Sequence, residues 1–493
     1  MAFGSLFFLT VFLPPVILVH WGLQAVARNR RCGTLPANLW LLCASLAACV
    51  LADLPGLPAF LACTLATDLV ARAIAASGDA RLRRLLLAVA VAADIGMLCF
   101  FKYAGVLARW IDAAAGSALV PVPQLALPLG ISFWVFRAVA YVVDVYRGVH
   151  PPARNPLDFL SFMALFPLFV SGPIVRWADV SDAFRARPFS APQAASGFRR
   201  LLVGLAKKIL LANQLAPFAD AVWELADAGH AMSPAMAALG VAAYSLQLYF
   251  DFSGYSDMAI GIGRLLGFDF GENFLWPYAS ASIREFWRRW HVTLSFWFRD
   301  YLYIPLGGSR CGKFRACLNG LLVFVLCGMW HGAGAMFALW GLWHGVLLCA
   351  ERLVAPRRPK GTPEPRRSPA VALLRFLAAR AYALAAIGFG WILFRSATPA
   401  AAGTVLRSLA GLAPLSREAR VLWLDCTLLF ECALAAGTVL AFPVVPFLRR
   451  AARRILPEGA AWTVESVAAT ALGAAALLFL AAGTRQSFLY FQF

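Results

Sequence analysis

The chain has 493 residues, 61% of them hydrophobic and 14% charged, and its mean hydropathy is +0.71. Soluble domains carry about 25% charged residues, so this composition excludes a soluble globular enzyme and points to a polytopic membrane protein. The formal net charge of +19 does not indicate nucleic-acid binding, because Lys and Arg stand in short clusters between apolar runs, the pattern of cytoplasmic loops.

A helix needs about 20 apolar residues to cross a bilayer core, and such runs recur from one end of the chain to the other. They are continuous and do not alternate every second residue, so helices are expected and barrel strands are not. The first run, residues 3–27, is too long for a signal-peptide core, has no basic segment before it and ends in Arg28-Asn29-Arg30-Arg31. It reads as an uncleaved helix with its N-terminus outside. Runs at 35–52 and 57–77 go out and back around the Pro- and Gly-containing turn 53–58. Further runs lie near 85–110, 124–147, 198–225, 236–262, 314–330, 333–353, 370–395, 421–446 and 462–482. With alternating sides, the basic clusters at 28–31, 81–84, 352–367 and 449–454 all fall on one side. The expectation is an all-α polytopic membrane protein with about 12 transmembrane helices and both termini outside.

Two stretches do not fit simple spans. Residues 157–175 are apolar but interrupted by Pro167 and Gly172-Pro173, which predicts a re-entrant hairpin. Residues 283–305 carry too many charges to cross lipid. The Pro- and Arg-rich segment 354–369 reads as a cytoplasmic linker. The expected organisation is therefore N-terminal helices at 1–110, a core at 111–353, the linker at 354–369 and C-terminal helices at 370–493. The eleven cysteines contain no CxxC, and Cys43, Cys49, Cys63, Cys99, Cys327 and Cys349 lie inside apolar runs, so they read as small core residues and not as a zinc site or disulfide framework.

Read as one continuous helix, residues 283–301 place Ile283, Phe286, Trp287, Trp290, Leu294, Trp297, Phe298 and Tyr301 on one face. Arg284, Arg288, His291, Ser295 and Arg299 then form a cationic stripe on the other, which suits a helix at the headgroup level. An amphipathic helix with an incidental histidine reads equally well from this stretch. His331 ends the apolar run 318–330 and is followed by Gly332, Ala333 and Gly334, where a helix can break and free backbone polar groups. An ionisable residue at such a break is a functional-site candidate. His344 stacks with Trp340, Gly341 and Leu348 at helical spacing and reads as a structural neighbour of His331. On the run 236–262, Gln247, Asp251 and Tyr255 share one helix face and Ser253 and Asp257 another, the pattern of a buried hydrogen-bond network. Lys207-Lys208 and Arg199-Arg200 read as charged helix entries.

The blocks LFPLFVSGPI (165–174), YSLQLYFDFSGYSDMAIGIGRLLGF (244–268), REFWRRWHVTLSFWFRDYLYIPLGGSR (284–310), CGMWHGAGAMFALWGLWHG (327–345) and FLYFQF (488–493) resemble the membrane-bound O-acyltransferases, most closely the bacterial branch that contains the alginate O-acetyltransferase membrane component. The resemblance covers most of residues 100–350 and the C-terminus. It implies spanning, re-entrant and interfacial helices around a central tunnel, a bacterial inner-membrane location, and acyl transfer from a cytoplasmic thioester, acetyl-CoA, with no bound cofactor and no metal. The family's two hallmark histidines map onto His291 and His331, the second being the catalytic one. Ala335-Met336 departs from the larger residues the family pattern carries there, which bears on the acyl pocket.

A thioester is already activated, so transfer to a hydroxyl needs a base near neutral pKa and donors for the developing oxyanion. His331 is the expected base, with amides freed near Gly332–Gly334 as oxyanion donors. His291, Arg284 and Arg288 are expected to hold the phosphates of the donor, with Trp287 and Trp330 beside them. The resemblance further implies a periplasmic acetyltransferase or esterase-like partner protein that completes transfer to a polysaccharide, with membrane lipids around the chain and no nucleic acid. Competing readings are cell-wall acylation, as peptidoglycan O-acetylation or teichoic-acid D-alanylation, and a transporter without chemistry.

Overall fold

Asp53 ends one helix and shapes the turn into the next: its side chain accepts from the amides of Gly56 at 3.2 Å and Leu129 at 2.7 Å. The Leu35–Asp53 and Leu57–Ala76 helices, each with Pro in its first turn, are the hairpin expected from the apolar runs. In this computed structural model the described residues are 4–30, 34–121, 126–354 and 368–483. The block 488–493, most of the linker and Arg31 lie outside them. Among the described residues the regular elements are all helical.

Nine helices among the described residues are long and apolar enough to cross a membrane, and ten if Glu418–Asp425 and Leu428–Leu440, bent by 74°, count as one broken span. About twelve were expected. The two runs not among the ten are informative. The helix within 124–147 is confined to Ile131–Tyr146, 16 residues, or about 24 Å at 1.5 Å per residue, short of the bilayer core. The Pro234–Leu265 helix is long enough at 32 residues, but its polar face, with Gln247, Asp251, Ser253 and Asp257, makes it less apolar than a lipid-facing span. Both are buried along most of their length, which fits elements packed within protein.

The chain forms two compact units. The first comprises Met1–Leu205, Gly254–Glu272 and Ala469–Ala481. Here the 157–175 stretch is interrupted as its prolines predict, with helices at Pro156–Ala164 and Phe166–Phe169 and irregular buried chain after them. At the break the Phe162 carbonyl accepts from the Leu165 amide at 3.3 Å, and buried Arg137 donates to the carbonyls of Phe162 at 3.1 Å and Met163 at 3.0 Å. Unpaired backbone at this depth would cost several kcal/mol. Arg200, expected as a helix entry, instead reaches Asp257 at 2.7 Å and Glu272 at 2.5 Å. The 191–206 and 234–265 helices approach so closely that a Cβ added at Gly197 or Gly204 would lie 2.6 Å from the carbonyl oxygen of Gly261 or Gly254. Small residues permit this packing where no hydrophobic effect drives helices together.

The second unit comprises Ala206–Ser253, Asn273–Ala468 and Ala482–Phe493. Its centre is the hairpin of the Lys313–His331 and Ala335–Val354 helices. Glycines again set the spacing: a Cβ at Gly328 would sit 2.1 Å from the Phe337 carbonyl oxygen, and one at Gly341 2.1 Å from that of Phe324. The Pro369–Arg395 helix joins this pair through a Trp343 Nε1 donor to the Ala386 carbonyl at 2.9 Å.

Candidate active site

The WRRWH block is not the single amphipathic helix that the apolar spacing predicted. Ile283–Phe286 is one helical turn, Val292–Phe298 is a second helix, and Arg299–Tyr303 is π-helical. The chain breaks at His291, whose φ is +40°, in the left-handed region that a non-glycine residue rarely occupies. What overrides the local helix pattern is a clasp from a distant segment. The Val292 amide donates to the Asn273 carbonyl at 3.0 Å, the Leu275 amide donates to the Arg289 carbonyl at 2.9 Å, and the Thr293 amide and hydroxyl donate to Asn273 Oδ1 at 3.2 and 3.0 Å. Such distant bonds leave no period in the local sequence.

His291 consequently leaves the cationic stripe and turns inward. It is buried, with Nδ1 3.2 Å from Asn273 Oδ1 and with the rings of Phe252 and Phe274 at 4.7 and 6.4 Å. Burial without a partner charge pushes its imidazole down to about 3, so it is neutral at physiological pH. It therefore does not hold phosphate by charge. Arg284 and Arg288 stay exposed, and the backbone amides of Ile283 and Arg284 are capped by the Glu351 carboxylate at 2.6 and 3.0 Å.

The helix break after His331 occurs where its glycines indicated. His331 is the last residue of its helix, Gly332 is extended, and the next helix begins at Ala335. The Gly332 amide, however, donates to the Gly328 carbonyl at 3.3 Å. It is committed to the helix end, so only Ala333 and Gly334 remain as amide candidates. Gly332 itself is buried under Phe337: a Cβ there would meet that ring at 2.1 Å.

His331 is 8% exposed, and its ring packs against Trp330, Trp340 and Phe394 at 4.8, 5.2 and 5.1 Å. Trp330 also packs against His291, with centroids 6.5 Å apart. The two histidines are thus brought together on one tryptophan, 40 positions apart in sequence. His344 lies at the other side of Trp340, at 5.2 Å, and accepts a hydrogen bond from Trp287 Nε1 on its Nδ1 at 3.3 Å. Its Nε2 faces Gly390, where a Cβ would come within 2.8 Å.

The polar face of the 234–265 helix divides. Asp251 forms a buried ion pair with Lys208, both side chains 4% exposed, at the π-helical turn Lys207–Ala212. Lys208 is a buried charge that sequence reasoning missed, since a Lys-Lys pair beside an apolar run looks like a cytoplasmic flank. Gln247, one turn away, is buried with neither amide atom hydrogen-bonded among the described residues, and Ser253 Oγ is likewise unpartnered. Unsatisfied groups of this kind mark places where water or a polar ligand completes the bonding. Tyr255 belongs to the first unit. Asn273 had no signal in the local pattern at all.

A family model of the membrane-bound O-acyltransferases matches residues 124–381. "Probable alginate O-acetylase AlgI" of Azotobacter vinelandii is 39% identical over 402 residues, 80% of this chain and 75% of the relative. A "Peptidoglycan O-acetyltransferase" of Helicobacter pylori is 33% identical over 71% of this chain and 70% of its own. A "Teichoic acid D-alanyltransferase" of Bacillus subtilis is 29% identical over 46% of this chain and 60% of its own. With a match across half its length and relatives of this identity, the chain is a multi-pass membrane acyltransferase that belongs to the membrane-bound O-acyltransferase family.

Proposed function

We propose that the chain takes acetyl groups from a cytoplasmic thioester, acetyl-CoA, and passes them across the bacterial inner membrane for O-acetylation of a secreted, alginate-like polysaccharide. The observation that carries this is the convergence of His291 and His331 on Trp330 in a chain 39% identical to an alginate O-acetylase. His331 takes the proton of the attacking hydroxyl as its oxygen bonds to the thioester carbonyl carbon. The C–S bond then breaks and His331 returns that proton to the leaving thiolate. Ala333 and Gly334 amides stabilise the oxyanion. Exposed Arg284 and Arg288 meet the donor phosphates, Trp287 and Trp330 wall the site, and the Lys208–Asp251 pair with Gln247 and Ser253 supports it. Both termini are periplasmic, and a periplasmic acetyltransferase or esterase-like protein completes the transfer.

The test is the alkali-labile acetyl content of secreted polysaccharide and of purified cell wall in cells lacking the gene, complemented with wild type or His331→Ala at matched membrane levels. Ester that returns on the polysaccharide with wild type alone supports the proposal. Full restoration by His331→Ala shows that His331 is not the catalytic base and moves the transport reading ahead. Ester lost from the wall instead selects the second reading, peptidoglycan O-acetylation, which the 33% identity to such an enzyme favours over D-alanylation.

A further inference from the structure

Asn273 Oδ1 sits within 3.2 Å of three groups: the Thr293 amide, the Thr293 hydroxyl and His291 Nδ1. A backbone amide can only donate, so the Asn273 atom facing it is the carbonyl oxygen and not the NH2. That oxygen only accepts, so His291 Nδ1 must carry a proton. A neutral imidazole has one N–H, which leaves Nε2 with its lone pair. Nε2 is buried and has no hydrogen-bond partner among the described residues. His344, by contrast, accepts on Nδ1 and is the opposite tautomer.

We infer that Asn273 is a positioning residue for acyl transfer, fixing His291 as the Nδ1–H tautomer so that Nε2 accepts a hydrogen bond from an X–H group of the substrates. This rests on the acyl-transfer reading above. The chemistry supplies two such groups, the hydroxyl of the acyl acceptor and the thiol of the spent donor. A buried acceptor left without a donor is costly, so substrate binding at this point is favoured by completing it. The left-handed backbone at His291 is the conformational cost of aiming the ring, and the Asn273 clasp holds it there.

The full-length protein, labelled with 15N-histidine in nanodiscs, has only six histidines, and His291→Gln assigns the His291 signals. The expected spectrum shows His291 Nδ1 protonated and Nε2 unprotonated near neutral pH. Asn273→Leu is expected to mix the tautomers and to lower kcat more than tenfold with little change in KM. Asn273→Asp retains an acceptor oxygen, folds with the clasp intact, keeps the tautomer and moves the acid limb of the pH–rate profile upward. Adding coenzyme A shifts the Nε2 signal if the thiol is the donor, and adding a uronate oligosaccharide shifts it if the hydroxyl is. A protonated Nε2 in wild type, a tautomer unmoved by Asn273→Leu, or a signal that neither ligand moves overturns the inference. Should the tautomer and its ligand shift be as stated while His331→Ala acetylates normally, the assignment of His331 as the base fails and the tautomer assignment stands.

A separate observation carries a second inference. The Val444–Ile455 helix has no buried residue, and it places Phe447, Leu448 and Ile455 on one exposed face and four arginines on the other. It connects a broken span to the Glu458–Ala481 span, so it lies at a membrane surface by connectivity. Glu465 meets Arg449 at 3.5 Å and Arg453 at 4.0 Å, which leaves Arg450 and Arg454, one turn apart, without a carboxylate. We propose that this helix lies in the membrane plane and that Arg450 and Arg454 bind the headgroup phosphate of an anionic phospholipid, with the apolar face in the acyl region. The test is native mass spectrometry of the full chain with phosphatidylglycerol and with phosphatidylcholine. Retention of phosphatidylglycerol over phosphatidylcholine is expected to fall about fivefold per arginine in Arg450→Gln and Arg454→Gln. Equal retention in wild type and the double variant, with acetyl transfer intact in both, overturns the proposal.

Discussion

Lys208 and Asp251 pair their charges where almost no water reaches, each side chain 4% exposed. Removing one partner leaves a buried unpaired charge, whereas removing both leaves none. Lys208→Met and Asp251→Leu are each expected to destabilise the protein by about 3–5 kcal/mol, and the double variant is expected to recover most of that loss. Thermal unfolding in detergent of the two single variants and the double variant measures the cycle; strictly additive losses would show that the pair is not coupled.

For catalysis the decisive comparison is His331→Gln. Glutamine keeps a polar side chain of similar reach but cannot take a proton, so acyl transfer is expected to fall by about 10²–10⁴-fold with membrane abundance unchanged. The measure is acetyl-ester formation at matched protein. A variant retaining more than about a tenth of wild-type activity would move the base elsewhere.

His291 links stability to pH. Folded, it charges only near pH 3, because burial lowers its pKa to about 3 from the ordinary 6.5. Unfolded, it charges below about 6.5. The unfolded state therefore binds more protons between these values, and stability declines as pH falls through that window, by about 1.4 kcal/mol per unit from this residue. His291→Gln is expected to flatten the stability profile between pH 6 and 4 by about that slope. Identical profiles for the two proteins would place His291 in water.

Glycine spacing in the 313–354 hairpin gives a prediction with an internal control. Gly341→Ala forces a Cβ to within 2.1 Å of a backbone oxygen, which only helix separation relieves, so a loss of about 1–3 kcal/mol is expected. Nothing lies within 4 Å of a Cβ at Gly96, and Gly96→Ala in the Ala80–Ala115 helix is expected to be neutral or to stabilise by up to about 1 kcal/mol. Folded yield and unfolding temperature of both variants decide it.

The membrane class, most spans, the helix break at 157–175 and the helix end at His331 were legible from sequence, because each depends on local apolar length or on Pro and Gly at one position. Departures arose wherever distant chain supplied the deciding bond. The period of residues 283–301 is helical, yet Asn273 takes the amides and side chains around His291 and turns that ring from a charged surface to a buried, neutral position. Lys208 reads as a flank until Asp251 of another helix neutralises it, and Arg200 until Asp257 and Glu272 do. Composition and periodicity thus determined the solvent this protein folds in and where most of its long helices lie. Which polar groups meet, and so which histidine is neutral and which lysine is buried, was decided by tertiary pairing, since electrostatic and hydrogen-bond partners are chosen by proximity in space and not by spacing along the chain.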